Sequence, residues 1–148
     1  MTTYVALLRG INVGGNNSLP MQGLRDKLAA AVAKQFGFTP TVLLLSVADY
    51  QSILAANPFP AAVDDPKSLH VSFLAAAPPE PDLQMLEMLK SPTERFALLD
   101  KAFYLHAPDG IGRSKLAAKV EKCLGVQATG RNWRTVSKLA ELAASIPR

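Results

Sequence analysis

The chain has little of three residue types, with one cysteine, one tryptophan and two histidines. A lone cysteine excludes an internal disulfide and any cysteine-rich metal site. Cys123 recurs with Leu116, Val120 and Leu124 on one helical face, which reads as a buried apolar thiol. The histidines, His70 and His106, have no partner four residues away and so lack the usual metal-ligand spacing. Also missing are a Gly-x-Ser-x-Gly nucleophile elbow and a Gly-Lys-Ser/Thr phosphate loop, and no motif asks for a cofactor. No apolar run approaches the roughly 20 residues needed to cross a bilayer. The Met1 end lacks the basic start and apolar stretch of a signal peptide, so the expectation is a cytoplasmic protein away from membranes.

What is present suffices for a core: 148 residues, 49% of them hydrophobic, can form one domain or two small, mutually supporting halves. The net charge of +4 hides an asymmetry. Residues 1–100 hold seven Lys/Arg against nine Asp/Glu, and residues 101–148 hold nine against three. The halves therefore carry −2 and +6, and clustered positive charge favours anionic partners more than the mean does.

The pattern of elements follows from periodicity. Tyr4 to Arg9 is apolar on both faces, as in a central strand, and the Gly- and Asn-rich INVGGNN after it is turn chemistry. Met21, Leu24, Leu28, Val32 and Phe36 recur at helical spacing between Pro20 and Gly37, predicting a continuous helix over 21–36. Thr41 to Leu45 reads as a second strand and Val47 to Ala56 as a second helix. The Pro-rich stretch 57–66 is the best boundary, separating a half over 1–60 from one over 67–148. In the latter, Leu69, Val71 and Phe73 alternate with His70 and Ser72, and a helix runs over 82–90. Arg95–Leu99 and Ala102–His106 form a hairpin about Asp100-Lys101. Ser114 can cap a helix closed by Gly125. A short strand over 126–129 and a last helix bearing Val136, Leu139, Ala143 and Ile146 complete a β-α-β-β-α-β order. The fold class is α+β, and that order points to a ferredoxin-like unit.

Several separate stretches, in order, carry a resemblance: YVALLRGINVGGNN, PMQGLRDKL, NPFP, PDGIGRSKL and TGRNWRTVSKL. Together they resemble the bacterial family catalogued as domain of unknown function 1697. The resemblance implies two ferredoxin-like halves in tandem and no particular activity. There is one departure. Family members carry a hairpin with a TYIQSGNV-like stretch between the first two helices, and here Leu28-Ala29-Ala30 runs straight into AVAKQFGF. Roughly thirty residues, a hairpin with parts of its flanking helices, are missing from the first half. Two strands joined by one crossover helix are expected to be parallel if they share a sheet.

Three segments are candidates for anion binding. Arg9, Asn12, Gly14, Gly15 and Asn17 surround a strand-to-helix turn whose amides can cradle a phosphate; a tight glycine turn is the plainer reading. Arg113, Ser114 and Lys115 stand at a helix start, where cations oppose the helix dipole unless something negative binds nearby. Lys119 and Lys122 extend that basic face. Arg131, Asn132 and Lys138 flank Trp133, whose ring either stacks on a base or packs into the core. A fourth candidate is a sheet face shared by His70, Tyr104 and His106, used as RNA-recognition domains use theirs or packed against the other half. Ser114 as a nucleophile beside Lys115 or His106 competes with its capping role, so no catalytic residue is assigned. The expectation is a non-catalytic anion-binding module for nucleic acid or nucleotide. Its alternatives are an enzyme for a small phosphorylated or carboxylated metabolite, and an interaction domain completed by homodimerisation.

Overall fold

The computed structural model describes residues 4–8 and 21–146, which fall into two compact units. One unit comprises the described residues up to Ser52 and those from Leu139 onward; the other is Ile53–Lys138. The change of unit thus falls ahead of the Pro-rich 57–66 segment.

In the first unit, strand β1 (Tyr4–Leu8), helix α1 (Met21–Phe36) and strand β2 (Val42–Ser46) come in chain order. Helix α1 is continuous through residues 28–31, as its unbroken apolar register predicts. The junction is packed: Leu28 and Ala29 lie against the buried Val42 and Leu44 of β2. Phe36, placed by periodicity on the same stripe, is instead 65% exposed, because the helix outruns the strand it covers and ends at the left-handed Gly37. Helix α2 (Val47–Ala55) begins directly after β2. Ser46 caps it, its hydroxyl accepting from the Asp49 amide and donating to the Asp49 carboxylate.

Strands β1 and β2 pair antiparallel, Tyr4 opposite Ser46 and Leu8 opposite Val42, which corrects the parallel arrangement expected of a single crossover. That expectation assumes a short connection into the helix. Residues 9–20, at up to about 3.4 Å each, have contour length for roughly 40 Å, more than twice the length of a five-residue strand. Helix direction is therefore not forced by the chain, and the pairing of apolar strands decides.

In the second unit the order is β3 (Leu69–Leu74), α3 (Leu83–Leu89), β4 (Arg95–Leu99), β5 (Ala102–His106), α4 (Val120–Leu124) and β6 (Ala128–Asn132), followed by the start of α5 (Trp133–Ser145). The four strands form an antiparallel sheet in the order β4-β5-β3-β6, so this part of the chain is α+β, with helices on a four-stranded sheet. The hairpin turns where its sequence says, with Asp100 in the left-handed conformation that Asp tolerates. The Asp82 carboxylate caps α3 by accepting from the Met85 amide, 2.9 Å away. Gly125, at φ 69°, ends α4 with its amide on the Glu121 carbonyl.

Register assigns the two sheet faces. His70 lies opposite Leu105 and Ser72 opposite Phe103, so these share the face on which Leu86 of α3 and Leu116, Val120, Cys123 and Leu124 pack. Cys123 sits in that core as an apolar thiol. Val71 lies opposite Tyr104 and Leu69 opposite His106, on the other face. The alternation within each strand is as read from the sequence, but His70 does not share a face with Tyr104 and His106. Nor is Tyr104 an open platform: it is fully buried, its hydroxyl donates to the Ile53 carbonyl at 2.6 Å, and burial pushes its pKa up to about 12.

Burial also holds the His70 imidazole below its ordinary 6.5, a backbone hydrogen bond to Ser68 acting in the opposite sense, and Nδ1 is enclosed without a hydrogen-bond partner. The folded state thus prefers the neutral ring. Its contribution to stability is present above pH 6.5 and is lost as pH falls through that value towards the lower folded pKa, where the unfolded chain binds the extra proton. Urea midpoints taken from about pH 7.5 to about pH 5.5 should fall less for His70→Gln than for the native chain. Identical slopes would show that His70 does not contribute.

Candidate functional site

Antiparallel order brings three chain segments to one end of the second unit's sheet. Strand β3 starts there, so the helix that follows it returns there, β4 sets out from Arg95 opposite His106, and β5 leaves the sheet at His106 itself. Between the end of α3 and the segment after β5 lies a cleft of about 520 Å³, a size suited to a small molecule. Met88, Leu89 and Lys90 line it from the end of α3, Ser91 and Glu94 from the loop that follows, and Ala107, Asp109, Gly110, Arg113, Ser114 and Lys115 from the segment after β5.

Local sequence chemistry holds these walls. Ala107-Pro108-Asp109-Gly110 is a β-turn closed by the Gly110 amide on the Ala107 carbonyl at 3.0 Å, with Gly110 at φ 93°, a conformation that favours glycine. The Asp109 carboxylate at its tip accepts from the Thr93 hydroxyl, tying the turn to the α3–β4 loop. Within that loop Ser91 and Glu94 bond reciprocally: the Glu94 amide donates to the Ser91 carbonyl and the Ser91 amide to Glu94 Oε2, 2.8 Å away. Glu94 is only 5% exposed and is among the residues that line the cleft. Ser114 Oγ accepts from the Ala117 amide at 3.0 Å, but Ser114 is not the cap expected of it: Leu116 and Lys119 precede the helical turns that follow, neither with a side-chain capping bond.

The helix start expected at Arg113–Lys115 takes a different form. Two single 3₁₀ turns, Ile111–Arg113 and Ala117–Lys119, precede the five-residue α4, so no long run of aligned peptide dipoles points at the cleft. Any attraction for anions there comes from the side chains. Arg113 and Lys115 are both exposed, and Lys90 is paired with Glu87.

The other expected contributors are placed elsewhere. Arg9, Asn12, Gly14, Gly15 and Asn17 lie outside the described residues. Arg131 is on β6 opposite Val71, because the strand expected over 126–129 runs over 128–132, and its Nη1 donates to the Gly130 carbonyl. Asn132 caps α5, accepting from the Thr135 amide at 3.0 Å. Trp133 is 8% exposed, which withdraws its ring from any base-stacking role and makes it a packing residue. Lys138 is an exposed side chain further along α5. None of these four lines the cleft, although β5 and β6 leave the sheet at the same end.

Sequence reasoning did not find Glu94 or Asp109. The Ser91-x-x-Glu94 spacing was a usable signal, since it is the one by which a glutamate reaches back to an amide three residues earlier. Asp109 sits in a Pro-Asp-Gly turn, which would have placed it at an exposed tip.

The model of a family described as "Protein of unknown function (DUF1697)" matches this sequence over residues 1–31 and 22–104. The chain belongs to the DUF1697 family. The two matched stretches of DUF1697 overlap at 22–31, inside α1. Among solved structures, the conserved bacterial protein SP0830 from Streptococcus pneumoniae is similar at 20% identity, over 96% of this chain and 98% of that one, with a TM-score of 0.48. At that level of likeness no residue role passes from one chain to the other. No curated protein matches this DUF1697 chain. Among the described residues, no helix is long and apolar enough to cross a membrane.

Proposed function

We propose that this DUF1697 protein is a non-catalytic anion-binding module in the cytoplasm, and that its ligand is of nucleotide size or smaller rather than a nucleic-acid chain. The observation that carries this reading is the cleft itself, which gathers Arg113, Ser114 and Lys115 around a volume of about 520 Å³. A polymer would need a long basic track, whereas Glu94 and Asp109 line the same cavity and repel a chain of phosphates. The fold reading that goes with it is two ferredoxin-like halves in tandem, the first shortened by loss of its hairpin. It is supported by the antiparallel pairing of β1 with β2, which matches that of β3 with β6, and by the break of the family match inside α1.

Isothermal titration of the full chain with ADP and with pyrophosphate, at low and at moderate salt, tests the reading. Both ligands should bind saturably and more weakly as salt rises. Arg113→Ala should lower affinity by about tenfold or more, the worth of one charge-assisted hydrogen bond. Arg134→Ala, an exposed cation on α5 that does not line the cleft, should bind as the native chain does. Absence of binding, or equal loss in both variants, would overturn it.

A further inference from the structure

The cleft holds charges of both signs that do not neutralise one another. Glu94 and Asp109 stand on it with Arg113 and Lys115, and among the described residues none of the four has an opposite charge within 4.0 Å. Lys90, the remaining charged group of the lining, is engaged by Glu87. Structural salt bridges ordinarily close such distances, since a carboxylate as enclosed as Glu94 is costly to leave without a counter-charge. The neutral partners it does have, the Ser91 amide on Oε2 and the turn that holds it, fix its position and do not neutralise it. Asp109 is likewise held by a neutral group, the Thr93 hydroxyl. Two anchored carboxylates and two cations that have no opposite charge within 4.0 Å among the described residues, all around one cavity, describe a bipolar receptor.

We infer that the ligand of this cleft is itself bipolar: a small molecule with a phosphate or carboxylate at one end and a protonated amine at the other. This inference rests on the anion-binding reading of Arg113 and Lys115 and adds the second pole. The anionic group meets Arg113 and Lys115, and the ammonium meets Glu94 and Asp109. Among the described residues the protein's own opposite charges stand more than 4.0 Å apart, and a ligand whose two groups are joined by a short carbon chain can bridge them. Met88 and Leu89 supply an apolar wall for that chain. Such a site discriminates by electrostatics: an anion lacking the amine brings no counter-charge to the carboxylates and binds more weakly for it.

The test compares 2-aminoethyl phosphate with ethyl phosphate, two probes that differ only in the amine, by titration calorimetry on the full chain. The aminated probe should bind about tenfold tighter or more, as expected when a charge pairs with a partly desolvated carboxylate. Glu94→Gln retains an amide oxygen to accept from Ser91 and removes the charge; it should bring the ratio of the two affinities close to one. Asp109→Asn, which keeps a side-chain oxygen to accept from Thr93 and removes the charge, should lower the ratio as well. Equal affinity for both probes on the native chain, with ethyl phosphate binding, would overturn the bipolar inference and leave the anion reading intact. A ratio that survives both substitutions would also overturn it. Failure of either probe to bind, together with failure of ADP and pyrophosphate, would remove both.

Discussion

Replacing Phe103 by alanine should cost this chain about 3–5 kcal/mol of unfolding free energy, the range for removing a large buried aromatic. Phe103 is 1% exposed on β5, opposite Ser72 of β3 and Leu98 of β4, at the middle of the helix-covered sheet face. Its ring stacks on Phe96 with centroids 5.5 Å apart and an interplanar angle of 23°, a pair worth about 0.5–1.5 kcal/mol beyond the area it buries. Truncation leaves a cavity beneath helices whose positions are fixed by other contacts, so little collapse can offset the loss. Domain stabilities are typically about 5–15 kcal/mol, and a loss of this size is therefore a large fraction of the whole. The one tryptophan, Trp133, is buried within Ile53–Lys138, so its fluorescence during urea unfolding reports the affected unit. The control is Phe36→Ala, which removes the same side chain from an exposed site and should change stability by no more than about 0.5 kcal/mol. If Phe103→Ala proved as mild as Phe36→Ala, the assignment of this face as the core would be wrong.

The contrast between these two phenylalanines shows where sequence reading succeeds. Periodicity identified α1 through its fused junction, alternation identified β3 over 69–73, one residue short of Leu74, and the β4–β5 hairpin was placed to the residue, because each pattern is local to its own element or hairpin. Properties set between elements were less legible. Whether His70 shares a face with Tyr104 depends on register across β3 and β5, and a shift of one residue exchanges the faces. The direction of β2 relative to β1 is set by pairing between the two strands, which the hydrophobic pattern within each does not encode. Strand β6 runs past the expected 126–129 to include Arg131 and Asn132. They belong to an edge strand, where polar residues are tolerated. The cleft was half legible. Its cations stood out as a basic cluster, while its carboxylates, Glu94 and Asp109, are single residues in turns brought to the cations by antiparallel order alone.

The second large effect is expected at Leu86, where substitution by alanine should cost about 2–5 kcal/mol and weaken ligand binding together with the fold. Helix α3 has seven residues, too few to persist without tertiary support, and Leu86 is the one residue in it that is fully buried. Alanine is the better helix former, so any loss must come from docking rather than from helix propensity. The end of this helix carries Met88, Leu89 and Lys90 into the cleft wall, and the loop after it carries Ser91 and Glu94. Loosening the single buried anchor should therefore displace the apolar wall and the enclosed carboxylate while leaving Arg113 and Lys115 on their own segment. For the Leu86→Ala chain, that separation predicts a specific pattern: the urea midpoint falls, ethyl phosphate retains much of its affinity, and the preference for 2-aminoethyl phosphate shrinks. Leu83→Ala, at an exposed position of the same helix, should leave both stability and preference close to native. A Leu86→Ala chain that lost stability yet kept the full preference would show that the second pole of the cleft does not depend on α3, and the carboxylate end would have to be sought on the Asp109 turn alone.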